Sequence, residues 1–130
     1  VQSTPNDNHI LWILGHLAGT NDWFSAMLDG GARRFPEKYK PVFGFGSKPE
    51  PDAARYPPAP EVLEMYTQSL TRLIGAIEGC RDFDGAPESD SGGFVKNKHE
   101  IATRASFHLG WHIGHMSSLR RALGLPSAFS

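Results

Sequence analysis

Three histidines share one stripe near the C-terminal end of the chain, in Ser106-Phe107-His108-Leu109-Gly110-Trp111-His112-Ile113-Gly114-His115. In a helix, at about 100° of turn per residue, positions 108, 112 and 115 fall within roughly 60° of one another. Imidazoles at i and i+4 stand one above the other and can hold a single metal ion. A catalytic site of the zinc type needs three protein ligands and keeps a fourth position for water or substrate. The third must come from a facing helix, because one helix cannot surround an ion. His16 is the natural choice: Trp12, His16, Thr20 and Trp23 recur at spacings of three and four, so it looks along an aromatic stripe. Neutral imidazole suits Zn, Ni, Cu or Fe, and residue type alone does not select among them.

His115 keeps two readings. It substitutes for one of the other helical ligands, or it stands beside the ion to position a water or carry a proton. His9 lies two turns before His16, about 10 Å away, too far to share an ion. His99 reads as a solvated helix-start residue on the opposite face from His108. The plainer account makes the three C-terminal histidines a polar stripe on a partly exposed face, and His16 a satisfied core residue. Against it, Ile101, Ala105 and Leu119 lie on the same face as the histidines. Polar groups among apolar neighbours need partners, and a cation is one.

The elements that position these residues are helices. Asn6, Asp7 and Asn8 are good N-caps for a helix running through Met27 or Leu28 and closed by Gly30-Gly31, with Ile10, Ile13, Leu14, Leu17 and Met27 as its apolar positions. Residues 30 to 58 are punctuated by Gly and Pro and predict a long irregular connection, with a short helical turn around Glu37-Tyr39. Its aromatics Phe35, Tyr39, Phe43, Phe45 and Tyr56 predict a loop packed on the body. Pro60, then Val62, Leu63, Tyr66, Leu70, Leu73, Ile74 and Ile77 at helical spacing, mark a second helix to about Glu78, ended by Gly79. After a second loop from Cys80 to Val95, Asn97 caps a third helix to Leu123, stopped by Gly124 and Pro126. The expected fold is an all-α up-down bundle in one domain, residues 1–130. Three long helices are visible, and bundles that enclose polar sites commonly need four. The chain opens at Val1 on a polar stretch, which points to an N-terminal helix lying upstream.

Composition narrows the function. At 130 residues, 39% hydrophobic and 21% charged, the chain is one globular domain. A formal net charge of −1 gives no footprint for DNA, RNA or an anionic membrane, so a small-molecule or protein partner is expected and nucleic acid is not. No apolar run approaches the ~20 residues a membrane helix needs. Cys80 is the only cysteine, which rules out an internal disulfide and multi-cysteine zinc motifs and fits a reducing cytoplasm. Cys80 itself reads as a loop thiol, Asp22 as a solvated or structural carboxylate, and Arg120 and Arg121 as cations favoured by a helix C-terminus. Trp12, Trp23 and Trp111 are expected in the core or a pocket wall.

Two segments carry a family likeness. Asn8-His9-Ile10-Leu11-Trp12-Ile13-Leu14-Gly15-His16-Leu17 and His108-Leu109-Gly110-Trp111-His112-Ile113-Gly114-His115, followed by Leu119-Arg120-Arg121-Ala122-Leu123-Gly124, resemble the DinB-like (DinB/YfiT) superfamily of metal-dependent proteins. The pattern is one histidine in a GHL helix segment and a distant HxxxHxGQ running into an arginine-rich end. The resemblance spans Asn8 to Leu125 and matches His16, His108 and His112 to the three family ligands. The glutamine of the pattern is His115 here, and the family's first helix has no counterpart before Asn8. The resemblance implies a divalent metal, often zinc or nickel, in a four-helix bundle that frequently forms a homodimer. It also implies transferase or isomerase chemistry with a low-molecular-weight thiol.

Two function classes follow. The first is a metal-dependent enzyme, a thiol-dependent transferase or a hydrolase, with His115 as its proton carrier. The alternative is a non-catalytic metal-binding or stress-related interaction protein, because no convincing general base or nucleophile accompanies the histidines. A plain helical dimerisation module without metal is the third and weakest reading.

Overall fold

The computed structural model describes residues 8–127. Four α-helices follow one another, α1 (Ile10–Asp29), the short α2 (Lys40–Phe43), α3 (Ala59–Gly79) and α4 (Lys98–Ala122), with single 3₁₀ turns at Glu37–Tyr39 and Ala53–Arg55. The described residues contain no strand, so the protein is all-α as its periodicity predicts. None of the helices is long and apolar enough to cross a membrane.

Local chemistry sets the ends. The N-cap of α1 is His9 rather than one of the three preceding polar residues: its Nδ1 accepts from the Trp12 amide at 3.1 Å and its Nε2 donates to the Glu50 carbonyl at 3.1 Å. Asn6 and Asp7 lie outside the described residues, and Asn8 precedes the cap. Gly30 closes α1 in the left-handed region (φ 69°), its amide bonded to the Ala26 carbonyl. Asn97 caps α4 as expected, accepting from the Glu100 amide at 2.9 Å, while the Glu100 carboxylate accepts from the Lys96 amide at 3.0 Å. Gly79 is the last residue of α3 rather than its stop, and Cys80 is the C-cap.

α1 is the central rod, which explains why residues around nearly its whole circumference are buried. Its interface with α3 is the more extensive, and that with α4 the lesser. Trp12 neighbours His112 while Phe24 neighbours His108, so α1 and α4 run antiparallel. One core cluster gathers Trp12, Ile13, Leu17, Phe43, Val62 and Leu119, and the other Phe24, Met27, Leu73, Val95, Ile101 and Ala105. Leu63 and Ile74, counted among the apolar positions of α3, are about half exposed.

Two connections are fastened by charge. Asp22, buried, accepts from Arg33 Nε and Arg72 Nη1 at 2.7 Å each, and from the amides of Arg34 and Phe35 at 3.0 and 3.1 Å. Of the two readings given to Asp22, structural holds and solvated does not. Arg72 also donates to Asp29 and to the Ala32 carbonyl, so one carboxylate and one guanidinium bind α1, α3 and the loop after α1. Lys98 is buried at the start of α4 with its Nζ on Asp82 (2.9 Å) and Glu88 (2.5 Å), and these hydrogen bonds hold its ammonium strongly in the charged form. Glu88 in turn bonds through its amide to the Met27 carbonyl, pinning the second loop across α1 and α4.

The long connection packs on the body through Phe35 and Phe43, which are buried, and through Tyr39 and Tyr56. Phe45 departs from expectation and is wholly exposed. It sits between Gly44 and Gly46 (φ 82°), in a turn closed by the Ser47 amide on the Gly44 carbonyl. Phe43, two residues earlier, faces the core instead. Trp111 is also exposed, beside exposed Phe107, and is neither core nor pocket wall, because it falls on the outer flank of α4.

Candidate metal centre

His16, from the middle of α1, meets His108 and His112 on the facing stripe of α4. One ring nitrogen from each of the three lies within 4.8 Å of the other two. The Nε2 atoms of His16 and His108 are 3.2 Å apart. Ring centroids are separated by 5.1 Å (His16–His108), 5.2 Å (His16–His112) and 4.6 Å (His108–His112). The rings meet edge to face, an arrangement in which nitrogen lone pairs converge on a point rather than faces stacking.

His16 is the best-held of the three. Its Nδ1–H donates to the Phe43 carbonyl at 2.9 Å, which fixes the tautomer and leaves the Nε2 lone pair facing α4. Its ring stacks on the Trp12 indole at 4.7 Å with planes 7° apart. The indole is anchored in turn, its Nε1–H shared between the Val42 carbonyl (3.1 Å) and Ser47 Oγ (3.2 Å). Gly15 permits this arrangement. A Cβ there would collide with the Phe43 ring, so the absence of a side chain lets α2 lie against α1 beside His16.

On α4 the satisfaction is incomplete. With His16 Nδ1 protonated, the 3.2 Å contact requires His108 Nε2–H to donate to His16 Nε2, which leaves His108 Nδ1 as an acceptor. That atom is buried and has no partner, and His112 Nδ1 is likewise buried and alone. Burial pushes both rings down to about 4, helped for His108 by His16, and for His112 by His108, His16 and His115. Burial also lowers His16, with the Phe43 carbonyl acting against it. At neutral pH the three rings are uncharged, the form in which imidazole ligates a metal. His16 and His108 keep partial exposure while His112 is 6% exposed, so the cluster is not sealed from solvent.

The remaining sequence-level residues fall outside the cluster. His115, one turn beyond His112, is half-buried and lies close enough for its charge to depress His112, but it is not one of the three converging rings. His9 is committed to its cap and to an edge contact with Tyr56. His99 is exposed, as expected of a residue at the helix start. Cys80 is half-buried at the end of α3, and Arg120 and Arg121 occupy the last turn of α4. Trp12 was expected on the aromatic stripe with His16, but Gly15 and the Phe43 carbonyl were not among the sequence-predicted site residues. A glycine inside an apolar helical pattern marks a close approach, but not the segment that approaches.

The chain matches no known family model, no curated protein and no solved structure.

Proposed function

We propose that the protein is a divalent-metal-dependent enzyme that uses His16, His108 and His112 as its metal ligands. The observation that carries this reading is the convergence of three neutral imidazoles from two helices, one ring nitrogen of each within 4.8 Å of the others. The all-nitrogen donor set suits zinc, nickel, copper or iron, and the resemblance to DinB-like proteins favours zinc or nickel among them. A three-histidine set leaves coordination open, and the partial exposure of His16 and His108 gives a substrate access to it.

Bound there, a divalent ion supplies Lewis acidity, which lowers the pKa of a coordinated water or thiol. The protein's own part is positional. Phe43 and Trp12 hold His16 in register, and the core seated by Ile101, Ala105 and Leu119 holds the α4 pair against it. His115, half-buried one turn beyond His112, is our candidate for the proton carrier of a thiol-dependent transfer or a hydrolysis. The resemblance to DinB-like proteins favours thiol transfer with a low-molecular-weight thiol as cosubstrate.

A non-catalytic metal holder is the second reading, and the lack of any carboxylate in the ligand group among the described residues favours it. Elemental analysis of the purified protein tests the shared premise. About one equivalent of zinc or nickel per chain is expected, lost in His112→Ala with the helical content kept. Undiminished metal in that variant refutes both. A shift in the visible spectrum of the cobalt-substituted protein on adding a small thiol separates the enzyme from the sealed holder.

A further inference from the structure

Arg104 stands one turn before His108 on the same flank of α4, with Cβ atoms about 5–6 Å apart at that spacing. Among the described residues it has no ion pair and no hydrogen bond. Its one interaction is with the Phe94 ring, over which the guanidinium sits 4.6 Å from the centroid. That contact holds the cation in place without neutralising it. From Phe94 a run of aromatic rings leads back to the histidines: Trp23 at 5.4 Å, Phe24 at 6.5 Å, and Phe24 against His108 at 6.4 Å. Phe94 is 43% exposed and Trp23 half-buried, so this wall faces solvent. The opposite side of the histidines is closed by Trp12 and the Phe43 segment.

Charge balance points the same way. Three neutral imidazoles leave a divalent ion with its full double charge, and no carboxylate belongs to the ligand group. The Arg104 guanidinium, held over Phe94 and one turn along α4 from His108, adds a further positive charge at the far end of the aromatic wall. We infer that the substrate of this site is an anion, a carboxylate on a flat apolar body, whose negative group Arg104 binds while the body lies along Trp23 and Phe94. This rests on the metal-site reading and specifies the class of molecule that the site takes.

The test uses the zinc-loaded full chain with benzoate as probe and benzamide, its neutral isostere, as control, read by calorimetry. Benzoate is expected to bind about tenfold or more tighter than benzamide. In Arg104→Ala that preference is expected to fall by about tenfold, and in Arg104→Lys to return in part, because lysine keeps the charge but not the planar fork. Zinc content and thermal midpoint are expected to stay at wild-type values in both variants, which separates substrate binding from a merely structural role on Phe94. A zinc-loaded wild type that prefers neither probe, or an Arg104→Ala protein that keeps the full preference, overturns the inference and leaves the metal reading standing. A wild type that takes up no metal overturns both.

Discussion

Helix α1 presents Asp22 towards α3 and His16 towards α4, and the two polar clusters so formed are built to opposite standards. The Asp22 carboxylate accepts from two guanidinium groups and two backbone amides, so a buried charge is fully met. The histidine cluster is uncharged, held firmly on the α1 side, and has two buried nitrogens with nothing to bond. A saturated network fixes geometry and has no capacity left for a ligand. An under-satisfied one, placed opposite a rigid anchor, has capacity for one more atom. The same helix thus separates a saturated network from an unsatisfied one by face, and the α3 side keeps α1 fixed opposite the α4 side.

The comparison can be broken most directly at Asp22. Asp22→Ala leaves Arg72 buried without its main counter-charge, and a loss of about 3–5 kcal/mol is expected in urea unfolding. Metal content per folded molecule should not change. If metal is lost in step with stability, the two faces are not independent. His112→Ala is the converse test, with metal affinity expected to fall by more than about 100-fold, beyond what the loss of an outer partner costs. Apo stability should change little, since the ring removed has an unsatisfied nitrogen.

Gly15→Ala sharpens the contrast, because it strikes the anchor and not a ligand. The added methyl must displace the Phe43 ring, and a cost of about 1–3 kcal/mol is expected. With the Phe43 carbonyl moved off His16, metal affinity should fall about tenfold, measured against a competing chelator. Unaltered affinity would mean that this carbonyl does not orient His16.

Acid titration of the metal-free protein should show the two clusters failing in separate windows. His108 and His112 are depressed from 6.5 to about 4, so the unfolded chain binds protons that the folded rings refuse. Stability from this source is whole above pH 6.5 and declines as pH falls towards 4. For Asp22, burial pushes the pKa up, but Arg33 and the amides of Arg34 and Phe35 outweigh it and hold it below the ordinary 3.8. Its contribution survives above that value and is lost below it. His112→Ala should flatten the upper decline and leave the lower one. A single transition unaffected by that variant would show that the rings are not titrating as described.

What the sequence made legible follows the reach of each signal. Apolar spacing located the three long helices, and Asn97 with Glu100 marked the start of α4, because a cap and its amide lie three residues apart. The histidine pairing was legible because HxxxH fixes one face locally and only one other helix offered an inward imidazole. Asp22, Lys98 and Gly15 were not, because their roles are set by partners 50, 16 and 28 positions away, which no local pattern encodes. Phe45 and Trp111 failed for a related reason. Aromatic character says that a residue would favour burial, but the side it faces is decided by the turn at Gly44-Gly46 and by how much of α4 is covered.

The chain distance between the site's halves has a consequence of its own. His16 and His108 are 92 positions apart, so bringing them together closes a loop that takes in most of the chain. Both can grip one ion only once the chain has folded back on itself. A metal bound there would report on the integrity of the entire domain, and a chelator would then act as a mild denaturant at a distance from every helix except the two it unlinks.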